Sequence, residues 1–242
     1  IHATLRRLIL PDEAPGRLTL SPERPTPLGW RLRNFLHLVG VPALALLALP
    51  FVLPIAVVVL VRLRRLEKTD PELCPRTPAE HNAALAVLED HSVSNQYTAM
   101  GSLKPGVVRL VTGIAVLIAI DYGARHLYTR GGLARVRSIH FARWVFLDNR
   151  QRIVFFSNYG GSHESYMDDF INKVGFGLNV VFSNGVGYPR TNWLILDGCS
   201  DERKFKEFNR RHQVPTQVWY KAYPGLTAVA LFGLERNRRL AA

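Results

Sequence analysis

Three short segments of the sequence concentrate the side chains that could bind or transform a ligand. They are HFARW at 140–144, SNYGGSHESYMDDF at 157–170 and HQVPTQVWYKAYP at 212–224. His140 and Trp144 share one face of a predicted strand, so a ligand there would meet an imidazole and an indole. His140 and His212 are the candidate cofactor-binding residues, and a buried histidine that binds nothing is the alternative for His140.

The same segments are rich in aromatic and amide side chains, which are typical of protein interfaces. The predicted interface residues are Trp144, Tyr159, Tyr166, Gln213, Gln217, Trp219, Tyr220 and Tyr223. Glu164 and Asp168 lie four residues apart on a predicted helix and could share a divalent ion, but the sequence places no third ligand beside them. We therefore predict no metal site and no catalytic residue.

The three segments resemble a family of uncharacterised bacterial proteins with the pattern HFARW, SNYDGS-ESYL-DF and HQ-PTQVWY-AYP. The resemblance covers about residues 78–240. It implies a fold similar to the dimeric α/β-barrel superfamily, whose haem members include dye-decolourising peroxidases and chlorite dismutases. Gly160 stands where the family often has aspartate, and the sequence contains no GxxDG peroxidase motif, so the resemblance does not imply peroxidase activity.

The C-terminal half alternates between strand and helix patterns. Strands are predicted at 139–147, 152–158, 178–182, 192–196 and 214–220, with one helix capped by Ser162 and another capped by Ser200. From residue 152 the order is β-α-β-β-α-β, a ferredoxin-like, split βαβ fold with an antiparallel sheet and helices on one face. A last helix is predicted at 227–240. The predicted fold class is α+β.

Residues 35–61, FLHLVGVPALALLALPFVLPIAVVVLV, contain no charged side chain. About 20 such residues in a helix cross the core of a bilayer, so we predict a membrane segment here. Three prolines leave two alternatives, a single kinked span or a re-entrant hairpin that turns near Pro50 and Pro54. The more basic C-terminal flank places the rest of the chain in the cytoplasm, at a bacterial inner membrane.

The chain carries 31 basic and 19 acidic residues, a net charge of +12, which indicates an anionic partner. The charge is densest beside the apolar run, which favours anionic lipid over nucleic acid. The predicted lipid-contacting residues are Arg31, Arg33, Arg62, Arg64, Arg65, Lys68, Lys104, Arg109 and Arg125. A second apolar stretch at 110–120 is too short to span, and we interpret it as an interfacial helix, with a buried helix as the alternative.

The sequence therefore divides into a proline-rich arm (1–34), a membrane segment (35–61), a basic helical linker (62–138) and an α+β domain (139–242). Within the linker, Thr77-Pro78-Ala79-Glu80 predicts a capping box that opens a helix ending near His91. Two cysteines, Cys74 and Cys199, are too few for a disulfide scaffold and fit a reducing compartment.

These features predict a non-catalytic accessory or scaffolding subunit that docks on a larger membrane complex and needs no cofactor. Anionic lipids and other subunits are its expected partners, nucleic acid is not, and a homodimer through the sheet is compatible with the fold. One alternative is a haem-binding oxidative enzyme with His140 or His212 as the iron ligand. The other is a lipid- or fatty-acid-binding protein with a pocket between sheet and helices.

Overall fold

The computed structural model describes residues 25–127, 139–221 and 225. In these residues the elements are α1 (Leu28–Thr69), α2 (Ala79–Ala86), β1 (Ser94–Ser102), α3 (Val107–His126), β2 (Ile139–Leu147), β3 (Arg152–Gly160), α4 (His163–Phe182), β4 (Thr191–Asn192), β5 (Leu196–Asp197) and α5 (Glu202–His212). The chain is thus a mixed helix-and-sheet protein, and a long apolar helix precedes the sheet, as predicted.

The main sheet has the strand order β1-β3-β2, and both pairs are antiparallel. One face carries Tyr97, Phe155 and Tyr159, which pack with residues of α4 and α5 into the hydrophobic core. The other face includes Phe156, which is exposed. The strand β1 comes from the region predicted as linker, so the sheet combines residues from before and after position 139.

The ferredoxin-like arrangement is not found in the part of the chain that the structure describes. Residues 178–182, predicted as a strand, form the last turns of α4, because a short buried apolar run has the same composition in a strand and in a helix. Residues 192–196 contribute only to the two-residue strands β4 and β5. Residues 214–220 form no strand, and the helix predicted at 227–240 lies outside the described residues.

The helix starts were predicted with mixed success. Ser162 caps α4 as predicted, and its hydroxyl oxygen accepts a hydrogen bond from the Ser165 amide at 3.2 Å. The cap of α5 is Asp201 rather than Ser200. The capping box is wrong, because the Thr77 hydroxyl donates to the Glu207 carboxylate at 2.7 Å instead of capping α2, which ends at Ala86.

The helix α1 is continuous over 42 residues and contains Pro42, Pro50 and Pro54. Two helices, α1 and α3, are long and apolar enough to cross a membrane. The apolar window of α1 is entirely unburied, whereas its buried residues, Leu63 and Glu67, lie near its C-terminal end. The contact between α1 and the domain is therefore concentrated at that end.

Candidate membrane-docking site

The C-terminal end of α1 is joined to the β4–β5 hairpin by one buried carboxylate. Glu67 is 1 % exposed. Its Oε1 accepts hydrogen bonds from the Thr191 hydroxyl and the Leu194 amide, both at 2.8 Å. Its Oε2 accepts from the Trp193 amide at 3.0 Å and from the Arg64 guanidinium at 3.2 Å. We call these five residues the Glu67 junction.

The backbone of the hairpin is strained at the residues that make these contacts. Trp193 and Leu194 have φ angles of 55° and 65°, a left-handed conformation that costs free energy for residues with a side chain. Charge-assisted hydrogen bonds to a buried carboxylate are strong enough to offset that cost. The Asn179 side chain fixes the rest of the loop by donating to the carbonyls of Ile195 and Asp197 at 3.0 and 3.1 Å.

A second acidic residue joins the end of α1 to the start of α3. The Asp70 carboxylate accepts from Lys104 Nζ at 2.8 Å and from the Arg109 guanidinium. Lys104 also donates to the Ser183 carbonyl at 2.9 Å, which extends the contact to the end of α4. Burial lowers the pKa of Lys104, with Asp70 acting in the opposite direction. We call Asp70, Lys104 and Arg109 the Asp70 cluster.

The Asp70 cluster corrects part of the lipid-contact prediction. Arg109 is 2 % exposed and Lys104 is largely buried, because both serve as partners of Asp70, so neither contacts lipid. Arg64 is half-buried against Glu67. The other predicted residues are exposed, namely Arg31, Arg33, Arg62, Arg65, Lys68 and Arg125.

Exposed apolar side chains lie beside the basic residues at the base of α1. Trp193 is 46 % exposed, and its neighbours Ile195 and Leu196 are exposed as well. Tryptophan and basic side chains together are typical of the membrane–water interface. The hairpin, the Glu67 junction and the basic end of α1 therefore form a surface suited to a bilayer headgroup region.

The helices α1 and α3 also meet at the opposite end of α3. Tyr122 Oη donates to the His37 carbonyl at 2.7 Å, and His126 Nδ1 lies 2.7 Å from Asn34 Oδ1. The rings of His37 and His126 stack with centroids 4.4 Å apart. The start of α3 contacts the end of α1, and the end of α3 contacts the start of α1. The two helices are therefore antiparallel.

The motif at 157–170 forms part of the core instead of a surface. Tyr159 and Tyr166 are fully buried, with ring centroids 4.4 Å apart, so the interface prediction is wrong for both. Gln213 is buried too, because its amide donates to Glu89. Burial raises the pKa of Tyr159 and lowers that of His163 to about 4, which keeps the phenol and the imidazole neutral.

The two predicted haem ligands lie at opposite ends of the sheet. His140 follows Ile139, which pairs with Tyr159, whereas His212 packs against Gly101, which pairs with Ile153. His212 Nδ1 lies 2.8 Å from the Phe208 carbonyl oxygen, and the cavity that His212 lines measures about 30 Å³. Burial lowers the pKa of both histidines. The residues around His212 do not fit a porphyrin.

Residues 214–221, which include Trp219 and Tyr220 of the predicted interface, lie along β1. The Val214 amide donates to the Thr98 carbonyl at 2.8 Å, and Trp219 Nε1 donates to the Ser94 carbonyl at 3.3 Å. Gln217 and Tyr220 are exposed and Trp219 is half-buried. We call residues 214–221 the edge segment. Trp144 is half-buried against Phe155, and Tyr223 lies outside the described residues.

The possible ion site at Glu164 and Asp168 holds an ammonium group. Lys206 Nζ lies 2.9 Å from each of these carboxylates and 2.6 Å from Glu202. These ion pairs link α4 to α5 and account for the acidic face without a bound metal.

The sequence reasoning missed Glu67, Asp70 and Trp193. The segment RLRRLEKTD at 62–70 holds two acidic side chains among four basic ones. An isolated acid in a basic, membrane-flanking segment is the signal that could have identified Glu67 and Asp70.

The fold and the site define a mixed helix-and-sheet domain fixed to the end of a long apolar helix. No protein-family model, curated protein or solved structure matches this chain. The resemblance of the three motifs to an uncharacterised bacterial family therefore stays a prediction.

Proposed function

We propose that this protein is an accessory subunit of a membrane complex, attached to the cytoplasmic face of a bacterial inner membrane by α1. The observation that carries the proposal is the pair of buried acidic contacts at the base of α1. The Glu67 junction and the Asp70 cluster hold α1, α3 and the hairpin in one arrangement. A domain held in this way keeps a fixed orientation to the bilayer, which a docking subunit requires.

The exposure of α1 and its contacts with the domain favour a permanent membrane anchor over a core helix or a cleaved signal sequence. A core helix would be covered by the protein, but the apolar window of α1 is entirely unburied. A signal sequence would be cleaved within a few residues of the end of its apolar run at position 61, and a cleavage beyond Glu67 would remove Leu63 and Glu67 from the domain. The Trp193 and Leu194 amides would then lose their buried acceptor, at a cost of about 1–3 kcal/mol each.

The edge segment is the surface that we assign to the protein partner. Val218 is 84 % exposed and Tyr220 is 72 % exposed, and Trp219 lies between them. Exposed tyrosine and tryptophan beside an apolar side chain are characteristic of binding hot spots. The basic side chains at the base of α1 would contact anionic lipid at the same time.

The haem-binding and fatty-acid-binding alternatives have less support. The cavity of about 30 Å³ between the sheet, α4 and α5 has room for about two water molecules. A porphyrin or an acyl chain would need a far larger cavity in the core.

The proposed docking can be tested with the full chain, tagged and extracted from bacterial membranes in mild detergent. We expect it to co-purify with another membrane protein and to elute as a larger complex. Val218→Asp should reduce the recovery of that partner about tenfold, since a charge in an interface costs at least 1.4 kcal/mol. Phe141→Asp is the matched control, because Phe141 is 48 % exposed on β2, which lies at the opposite edge of the sheet from β1 and the edge segment.

Elution of the wild-type chain as a lone monomer would contradict the proposal. Equal losses of partner with Val218→Asp and Phe141→Asp would exclude the edge segment as the docking surface.

A further inference from the structure

We infer that α1 does not cross the bilayer but forms an arch that enters and leaves it on the side of the domain, with α3 lying in the interface. The inference rests on the proposed membrane attachment through α1. It adds the topology of that attachment: residues 25–27, α3 and the domain all lie on one side.

The sheet excludes α3 as a membrane span. β1 precedes α3 and β2 follows it, yet both strands pair with β3, so Ser102 and Ile139 lie on the same side of the membrane. If α3 crossed, residues 127–138 would have to cross back. These are 12 residues that include Arg130, Arg135 and Arg137, whereas a helical crossing needs about 20 mostly apolar residues.

The start of α1 lies next to the C-terminal end of α3. Asn34 and His37 contact His126 and Tyr122 near the C-terminal end of α3. Since α3 does not cross the membrane, its C-terminal end stays on the side of the domain. The N-terminal end of α1 must therefore lie there too, although 27 uncharged residues follow it at 35–61.

The two sets of contacts require α1 to be bent. A straight helix would place Asn34 and Asp70 about 54 Å apart, whereas His126 and Arg109 are about 26 Å apart along α3. Side chains would have to bridge the remaining distance of about 28 Å at the two ends. That distance is more than the fully extended side chains of these four residues can reach, so α1 curves between its contacts with α3.

The prolines supply this curvature. Pro42, Pro50 and Pro54 all lie between the two contacts, and each removes a helical hydrogen bond and bends the axis. At 100° per residue the three lie within about one third of the helix circumference, so their bends add in similar directions.

The middle of the arch has no covering in the described part of the chain. Leu46, Leu47 and Phe51 are 73–77 % exposed, and neighbouring apolar residues are exposed as well. On α3, Val107, Val111 and Ile118 share one exposed face, which suits a helix lying in the interface. Hydrocarbon of one leaflet is the environment that fits both surfaces.

The charges at the two ends of the apolar run fit an arch better than a span. Arg31 and Arg33 precede the run, and Arg62 and Arg65 follow it, all of them exposed. A single span would place one basic flank on the far side of the membrane, against the positive-inside rule. An arch places both flanks next to the same anionic leaflet.

The test is cysteine accessibility of the full chain in bacterial membranes, with Cys74→Ser as the background because Cys199 is buried. Thr26→Cys reports the start of α1, Asn172→Cys on the exposed side of α4 reports the domain, and Leu46→Cys reports the apex of the arch. We expect a membrane-impermeant maleimide to label Thr26→Cys and Asn172→Cys in inverted vesicles only. Leu46→Cys should label only after detergent is added.

Labelling of Thr26→Cys and Asn172→Cys from opposite sides would overturn the arch and leave the membrane attachment intact. Labelling of both from the periplasmic side would support the arch and overturn the cytoplasmic orientation. Release of the Cys74→Ser chain from the membranes by alkaline carbonate would overturn the proposed function, and the arch with it.

Discussion

Glu67→Ala is expected to lower the free energy of unfolding of the domain by about 3–4 kcal/mol. The substitution removes the acceptor of the Thr191 hydroxyl and of the Trp193 and Leu194 amides, and these donors cannot all reach water. It also removes the contacts that hold the left-handed backbone of the hairpin. A thermal unfolding scan of the detergent-solubilised chain should show a decrease in Tm of about 10 °C for a chain of this size.

Two further variants separate the role of the charge from that of the hydrogen bonds. Glu67→Gln keeps one oxygen acceptor but turns an amide group toward the remaining donors. We therefore expect it to lower the free energy of unfolding by about half as much as Glu67→Ala. Glu80→Ala removes an exposed carboxylate in the first turn of α2 and should cost less than about 1 kcal/mol. Equal Tm values for Glu67→Ala and Glu80→Ala would show that the junction contributes nothing to stability.

Asp70→Ala is expected to cost about 3–5 kcal/mol, because it leaves two buried cations without their anion. Arg109 is 2 % exposed, and Lys104 would keep only the Ser183 carbonyl as a partner. Arg109→Met in the same chain should recover part of the loss, since it removes the more deeply buried of the two charges and keeps an apolar side chain in its place.

A double-mutant cycle measures this coupling. The Tm of Asp70→Ala, of Arg109→Met and of the double variant would be compared in the same detergent. We expect the double variant to be more stable than Asp70→Ala alone. Additive losses would contradict a direct interaction between Asp70 and Arg109.

The parts of the fold that follow from local pattern were predictable. The alternation at Ile139–Leu147 predicts β2 with its observed bounds, and Ser162 caps α4 as expected. The strand β1, SNQYTAMGS, was missed because its core face carries Asn95, Ala99 and Gly101 around a single aromatic residue, Tyr97, instead of an apolar row. Gly101 has a tertiary reason to be small, since a Cβ there would lie 2.9 Å from the His212 ring.

The site depended on contacts that no local pattern reveals. The basic residues beside the apolar run point to the membrane, but Glu67 and Asp70 fix α1 to the domain. Their partners lie far away in sequence, Glu67 binding Thr191 and Asp70 binding Arg109. For the same reason Lys104 and Arg109 look like lipid contacts in the sequence and are buried in the folded chain.

The attachment of the chain to the membrane through α1 is tested most directly by alkaline carbonate extraction. The full chain and a variant with Leu46→Arg and Phe51→Arg would be compared in washed bacterial membranes. We predict that the wild-type chain stays in the membrane pellet. The variant should pass into the supernatant, because each arginine in the hydrocarbon core costs about 2.5–3.5 kcal/mol. Recovery of the wild-type chain in the supernatant would contradict membrane attachment through α1.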